Sequence, residues 1–186
     1  MEIKNSNPHN KIIHKLCKEE LLPLGVFQKG SSRVYIDDNG YYFTVIEFQP
    51  SSFAKGTYLN VGLHFLWQGL DFISFDFPPD LANRVRSFVE YQDEAQFTQE
   101  VREYVAKAAE CVQFYRKLRD PQKAKRYIRR WARRYRKSAC AKKLETISRL
   151  DDEEILQTIR KTREFWRSKA SMKKMKHYDV YDYAPK

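Results

Sequence analysis

The sequence has few of the residues from which phosphate-binding loops, disulfide frameworks and metal sites are built. Its 186 residues include six glycines, three cysteines and four histidines, and no GxGxxG, GxxxxGK[ST], GxSxG or HExxH motif occurs. Cys17, Cys111 and Cys140 are far apart and odd in number, which predicts reduced thiols in a cytoplasmic protein. No two histidines have metal-ligand spacing. We therefore expect neither a metal nor a cofactor.

Long apolar runs are also missing. The N-terminal stretch MEIKNSNPHNKIIHK has no apolar signal core, and no stretch approaches the roughly 20 apolar residues of a membrane span. The composition is nevertheless that of a folded chain, with 42% hydrophobic and 15% aromatic residues. These features predict a soluble cytoplasmic protein with no membrane partner.

Charge is plentiful, but it is unevenly distributed. The formal net charge is +11. Residues 1–115 carry 11 Lys and Arg against 15 Asp and Glu, whereas residues 116–186 carry 24 against 9. A mildly acidic body joined to a strongly basic C-terminal third indicates an anionic partner.

The hydrophobic pattern predicts an α+β fold. A first helix is expected over SNPHNKIIHKLCKEELLPLG, capped by Ser6 or Asn7 and ended by Pro23 and Gly25. An antiparallel meander of about five strands should follow, with DNG as the first hairpin turn. The predicted strands are SRVYID, YYFTVIEFQ, TYLNVGLHFLW, DFISFDF and RVRSFVEY.

Helical periodicity replaces the strand pattern from Phe97 to Leu118. Pro121 should start a basic helix, and a last helix should begin at LDDEEIL, where Asp151 and Glu154 have capping-box spacing. We expect two units, an α+β body over residues 1–118 and a basic helical extension over residues 119–186 that packs on it.

The segment RYIRRWARRYRK interleaves aromatic residues with arginines. On a helix over residues 123–139, six side chains fall within an arc of about 120°, which predicts a buried stripe rather than base-stacking platforms. These six are Ala124, Tyr127, Ile128, Trp131, Tyr135 and Ala139. The cations fan over the remaining arc, and we take them as candidate nucleic-acid-binding residues: Lys125, Arg126, Arg129, Arg130, Arg133, Arg134, Arg136 and Lys137.

Neighbouring cations at i,i+4 repel by about 0.2–0.5 kcal/mol per pair, so something must offset the repulsion. Solvent and salt, acids of the adjoining helices, and nucleic-acid phosphates are the alternatives. The acids in question are Glu100, Glu103, Glu110 and the run from Asp151 to Glu154. A second basic stretch, Arg160 to Lys176, carries eight cations against the single acid Glu164.

One polar constellation is compatible with catalysis. Alternation places Glu47, Gln49, Tyr58, Asn60 and His64 on one sheet face, with Glu47 opposite Asn60 and Gln49 opposite Tyr58. Glu47 and His64 are candidates for general acid–base chemistry if they lie within about 8 Å of each other. The same residues also fit the polar side of a half-buried sheet.

The region of residues 12–115 resembles the uncharacterised bacterial domain-of-unknown-function family 4304. Three pieces carry the resemblance: Leu24-Gly25 with Phe27, Lys29 and Gly30; Phe48-Gln49-Pro50-Ser51-Ser52; and Leu59-Asn60-Val61-Gly62. Val26 is an insertion in the first motif, and the basic region after residue 116 is an addition. The resemblance implies an α+β fold and brings no activity and no catalytic residues.

The resemblance draws attention to the loop QPSSFAKG, because loops on a rigid sheet often bind ligands. Gln49, Ser51, Ser52, Lys55 and Asn60 are candidate ligand-binding residues, although the serines could equally hold the turn by local hydrogen bonds. The leading hypothesis is a non-enzymatic protein whose basic helices contact nucleic acid or another polyanion. A small enzyme and a defence- or immunity-type protein-binding module are the alternatives.

Overall fold

The protein has an α+β fold, as predicted. The computed structural model describes residues 7–135 and 137–178. In chain order the elements are α1 (Pro8–Glu20), β1 (Phe27–Gln28), β2 (Val34–Asp38), β3 (Tyr42–Gln49), β4 (Gly56–Phe65), β5 (Arg84–Glu90), α2 (Glu94–Arg116), α3 (Pro121–Arg134), α4 (Lys137–Ser148) and α5 (Glu153–Ser168).

The five strands form one antiparallel sheet in chain order, which confirms the predicted meander. The Asn39-Gly40 turn joins β2 to β3, and Gly40 supplies a positive φ of 90°. The predicted register of β3 and β4 is also confirmed, with Glu47 opposite Asn60 and Gln49 opposite Tyr58.

The prediction of a strand over DFISFDF is wrong. Only Phe77 bridges to β4, at Leu63. The segment does not pair further because the Phe65 amide donates to the Asp76 side chain at 2.7 Å rather than to a backbone carbonyl of the segment. Pro78 and Pro79, which have no N–H to donate, come next. The short strand β1 is the fifth member of the sheet.

Both faces of the sheet are covered. Helix α2 packs on the face that carries Ile46, Phe48 and Val61, and these three side chains are fully buried. Helix α1 packs on α2 and reaches the same face through His14, whose Nδ1 lies 2.8 Å from the Tyr35 hydroxyl. The opposite face is covered over part of its length by the segment after β4, because an added Cβ at Gly62 would lie 2.8 Å from Phe75. The core is therefore shared between the meander, α1 and α2 on one face, and the segment after β4 with Trp166 of α5 on the other.

Two ion pairs, the hairpin ion pairs, tie the β2–β3 hairpin to later helices. Arg163 of α5 donates to both carboxylate oxygens of Asp38 at 2.8 and 2.9 Å, and their side chains are 5% and 1% exposed. Arg116 of α2 donates to both oxygens of the buried Asp37 at 2.6 and 3.0 Å. The hairpin is thus a point where both α2 and α5 are anchored to the sheet.

The capping of α5 differs by one residue from the prediction. Asp152, not Asp151, is the N-cap, and its side chain accepts the Glu154 amide at 3.0 Å. At the N-terminus, Asn7 is the N-cap of α1 without a side-chain cap bond, and Ser6 lies outside the described residues.

Candidate nucleic-acid interface

Helix α3 presents the basic segment. Asp120 caps it by accepting the amides of Gln122 at 2.8 Å and Lys123 at 3.3 Å, and Pro121 occupies its first turn. The helix stops at Arg134 because Tyr135 adopts an extended backbone with φ −118° and ψ 173°.

The predicted continuous helix over residues 123–139 is therefore wrong. Helix α4 begins at Lys137 and packs against α3, which buries Cys140 and Ile147 in the core. A straight helix would carry α4 away from α3, so the break is what allows the two helices to pack together. Ala139 is exposed and does not belong to the buried stripe.

The cations of α3 face solvent. Arg126, Arg129, Arg130, Arg133, Arg134 and Lys137 are exposed, and Lys125 is half-buried. Arg136 lies outside the described residues. At about 100° per residue, Arg126, Arg129, Arg130 and Arg133 fall within an arc of about 100°, opposite the buried Ala124 and Ile128. We call these four the arginine face.

The described acids of the body form no ion pair with the arginine face. Among residues 7–135 and 137–178, no ion pair joins any of its four arginines to a carboxylate. The candidate acids pair elsewhere: Glu110 with Lys107, Asp152 with Arg149 and Glu153 with Arg160. The repulsion predicted from the sequence is left to solvent, salt or a bound anion.

The aromatic residues of the segment do not all lie in the core. Tyr127 and Trp131 are half-buried, and Tyr135 is 42% exposed. The prediction that Tyr135 belongs to the buried stripe is wrong, because the chain leaves the helix at this residue. Its ring stacks on Trp131, with centroids 4.7 Å apart and planes 24° apart. The ring of Trp131 packs in turn against Phe77 in a T-shaped contact, with ring centroids 5.7 Å apart.

A groove of about 520 Å³ runs along this stack, which we call the aromatic groove. Its lining residues are Tyr127, Arg130, Trp131, Arg133, Arg134 and Tyr135. Two members of the arginine face therefore line the same groove as the exposed ring. Sequence reasoning missed this groove because it treated the aromatics and arginines as opposite sides of one uninterrupted helix.

The second basic stretch is partly internal. Arg163 is buried in its pair with Asp38, Arg167 contacts His177 at 2.7 Å, and Lys169 lies 4.1 Å from the ring centre of Phe165. Part of this stretch therefore holds the C-terminal segment together, and α3 is the better candidate for a binding surface.

The polar sheet face forms a hydrogen-bonded network. Asn60 donates to Glu47 at 2.9 Å and to Gln49 at 2.8 Å. Arg84, which sequence reasoning did not single out, donates to Gln49 at 2.7 Å and lies 4.1 Å from the ring centre of Tyr58. These groups satisfy one another, as expected for the polar side of a half-buried sheet.

The structure does not bring Glu47 and His64 together. Glu47 pairs with Asn60 and His64 with Phe43, so the two positions are four residues apart along one face, or about 13 Å. His64 is fully buried, and its ring lies 6.5 Å from that of Trp166. The arrangement lacks the hydrogen-bond reach that acid–base chemistry between this pair requires.

His64 instead belongs to a small structural cluster. Its Nδ1 lies 3.1 Å from the Ser74 hydroxyl and 3.2 Å from the Asp76 carboxylate. Both partners meet the same ring nitrogen, unlike a Ser-His-Asp triad, in which serine and aspartate meet opposite nitrogens. Burial raises the pKa of Asp76, but hydrogen bonds from His64, Ser74 and the Phe65 amide outweigh burial and hold that pKa below its usual value.

Asp76→Asn is expected to lower the free energy of unfolding by about 1–3 kcal/mol at neutral pH, because one amide oxygen cannot replace the carboxylate as acceptor for all its donors. The folded-state pKa is lowered, so this contribution is present above the unfolded-state pKa. It is lost as pH falls through the folded-state pKa. Urea unfolding from neutral to acidic pH measures it.

Asp71→Asn is the matched control, since Asp71 is exposed in the same segment. Its effect should be close to zero at every pH. Equal, pH-independent losses in the two variants would contradict the assigned role of the Asp76 carboxylate.

The candidate ligand-binding residues separate into two groups. Ser51, Ser52 and Lys55 line a cleft of about 720 Å³ beside α1, together with Glu47 and Arg33. Gln49 and Asn60 belong to the network with Arg84 instead. His9 also lines the cleft. Burial lowers the pKa of His9, and the positive charges of Arg33 and Lys55 lower it further. The predicted loop thus borders a cleft whose charged lining residues carry a net positive charge.

The comparisons identify no relative. The chain matches no protein-family model, no curated protein and no solved structure. Its resemblance to family 4304 stays a prediction. Among the described residues no helix is long and apolar enough to cross a membrane, and no three His, Cys, Asp or Glu side chains gather as metal ligands.

Proposed function

We propose that this is a cytoplasmic protein that binds nucleic acid, non-enzymatically, through the arginine face of α3. The observation that carries the proposal is the exposure of Arg126, Arg129, Arg130 and Arg133 on one face without a carboxylate partner among the described residues.

Electrostatics favours a phosphate partner. Arg126 and Arg130, and likewise Arg129 and Arg133, are i,i+4 pairs whose repulsion disfavours the free helix by about 0.2–0.5 kcal/mol each. A bound phosphate backbone relieves the repulsion at both pairs. Guanidinium groups also match phosphate oxygens with two parallel hydrogen bonds.

The other functions expected from the sequence have weaker support. An enzyme built on Glu47 and His64 lacks the necessary proximity, since the two side chains lie on separate parts of the sheet. A protein-binding module would fit the exposed surface only in a general way, because the half-buried Trp131 leaves one well-exposed ring, that of Tyr135 just after α3. The resemblance to family 4304 supplies no activity that favours either.

A salt series tests the proposal. Fluorescence anisotropy with labelled duplex and single-stranded DNA and RNA should show binding at low salt. For duplex DNA the logarithm of affinity should fall against the logarithm of salt concentration with a slope of about −3 to −4, if each of the four arginines meets one phosphate.

Two results would overturn the proposal: no binding to any nucleic acid at low salt, or an affinity that does not respond to salt. Displacement of the nucleic acid by polyglutamate at equal charge concentration would also overturn it, because the face would then accept any polyanion.

A further inference from the structure

The aromatic groove leaves Tyr135 exposed at the end of an arginine-rich helix. Among the described residues Trp131 is the one ring that Tyr135 contacts, and 42% of the tyrosine remains accessible. The protein supports this stack, because the Trp131 ring also packs against two other rings. Its centroid lies 5.7 Å from that of Phe77 and 6.5 Å from that of Tyr127. The groove therefore presents a supported aromatic surface to solvent.

Arginines of α3 border this aromatic surface. Arg130, Arg133 and Arg134 line the groove with the two rings, and all three are exposed. Because Arg130 and Arg134 are one helical turn apart, their guanidinium groups can reach neighbouring points along one edge of the groove. A flat ring beside several guanidinium groups is the arrangement that recognises a base together with its phosphates.

We propose that the aromatic groove binds an unpaired base of single-stranded nucleic acid, stacked on Tyr135, with the adjacent phosphates held by Arg130, Arg133 and Arg134. This inference rests on the proposed function and specifies the kind of strand. Bases in a duplex present only their edges to the grooves, whereas an unpaired base exposes its whole ring to Tyr135.

The chemistry predicts tolerance of sequence. Every base has a π face, and among the described residues no carboxylate or amide side chain lines the groove to read a particular base edge. The arginines supply the affinity common to all strands, and the ring supplies the preference for single strands.

The test compares Tyr135→Ala with Tyr135→Phe in the full-length chain, using short homopolymeric single strands and a duplex of equal length. Tyr135→Ala should weaken single-strand binding by about 5- to 150-fold, the range for removal of one base–aromatic stack. Duplex binding and the slope of the salt dependence should stay unchanged, because no charge is removed. Tyr135→Phe keeps the ring and should keep the affinity.

Phe53→Ala is the matched control, since Phe53 is 99% exposed in the loop between β3 and β4. It should bind both kinds of strand like the parent protein. If single-strand affinity survives Tyr135→Ala, or if single-strand and duplex affinity fall together, the groove does not bind a base. A parent protein that binds no nucleic acid at low salt would instead defeat the proposed function itself.

Discussion

Arg163→Ala is expected to lower the free energy of unfolding by about 3–5 kcal/mol, the cost of breaking a buried ion pair by removing one partner. Asp38 would remain 1% exposed and would lose both guanidinium hydrogen bonds. Two backbone carbonyls that now accept from Arg163, those of Gly40 and Lys176, would also lose a donor. Chemical denaturation followed by circular dichroism measures the loss.

Arg160→Ala is the matched control on the same helix. Arg160 contacts Glu153 at 4.0 Å, and both side chains are substantially exposed, at 37% and 59%. Its replacement should cost less than about 1 kcal/mol, the range for surface ion pairs. If the two variants lose the same free energy of unfolding, burial of the Arg163–Asp38 pair is not the source of its contribution to stability.

Replacement of Arg126, Arg129 and Arg133 by glutamine is expected to weaken duplex DNA binding by about 500-fold at about 0.1 M salt. The figure follows from about 8-fold for each phosphate that the variant no longer neutralises at that concentration. The slope of the salt dependence should become less steep by about 2.7, at about 0.9 for each phosphate. The free energy of unfolding should rise by about 0.4–1 kcal/mol, because the repulsions of Arg126 with Arg130 and of Arg129 with Arg133 both disappear.

The control removes the same charge from another helix. Lys11, Lys15 and Lys18 are exposed on α1, and their replacement by glutamine should leave most of the affinity in place. Net charge would then be equal in the two triple variants. If both lose affinity alike, binding depends on overall charge rather than on the arginine face.

The meander was predictable because its signals are local. Alternation in β3 and β4, together with the Asn39-Gly40 turn, fixes both the pairing and the register that the structure shows. The failures at DFISFDF and at the end of α3 have long-range causes. Asp76 accepts the amide of Phe65, 11 residues earlier in the chain, and the break at Tyr135 serves the packing of α4.

The candidate interface was predictable only in part. Arginine content identified α3, since charge along a helix can be read directly from the chain. The pairing of charges could not be read in the same way: Asp38 and Arg163 are 125 residues apart. For the same reason, sequence alone could not decide whether acids of the body neutralise the arginines.

The hairpin ion pairs also affect the order in which the chain can fold during its synthesis. During synthesis the β2–β3 hairpin emerges long before Arg116 and Arg163, the residues that neutralise its two aspartates. Until α5 leaves the ribosome, the Asp38 carboxylate must stay hydrated, so the tip of the sheet cannot close over it. Final consolidation of the N-terminal sheet therefore waits for the last helix, and a nascent chain that stops short of Arg163 carries an unfinished core.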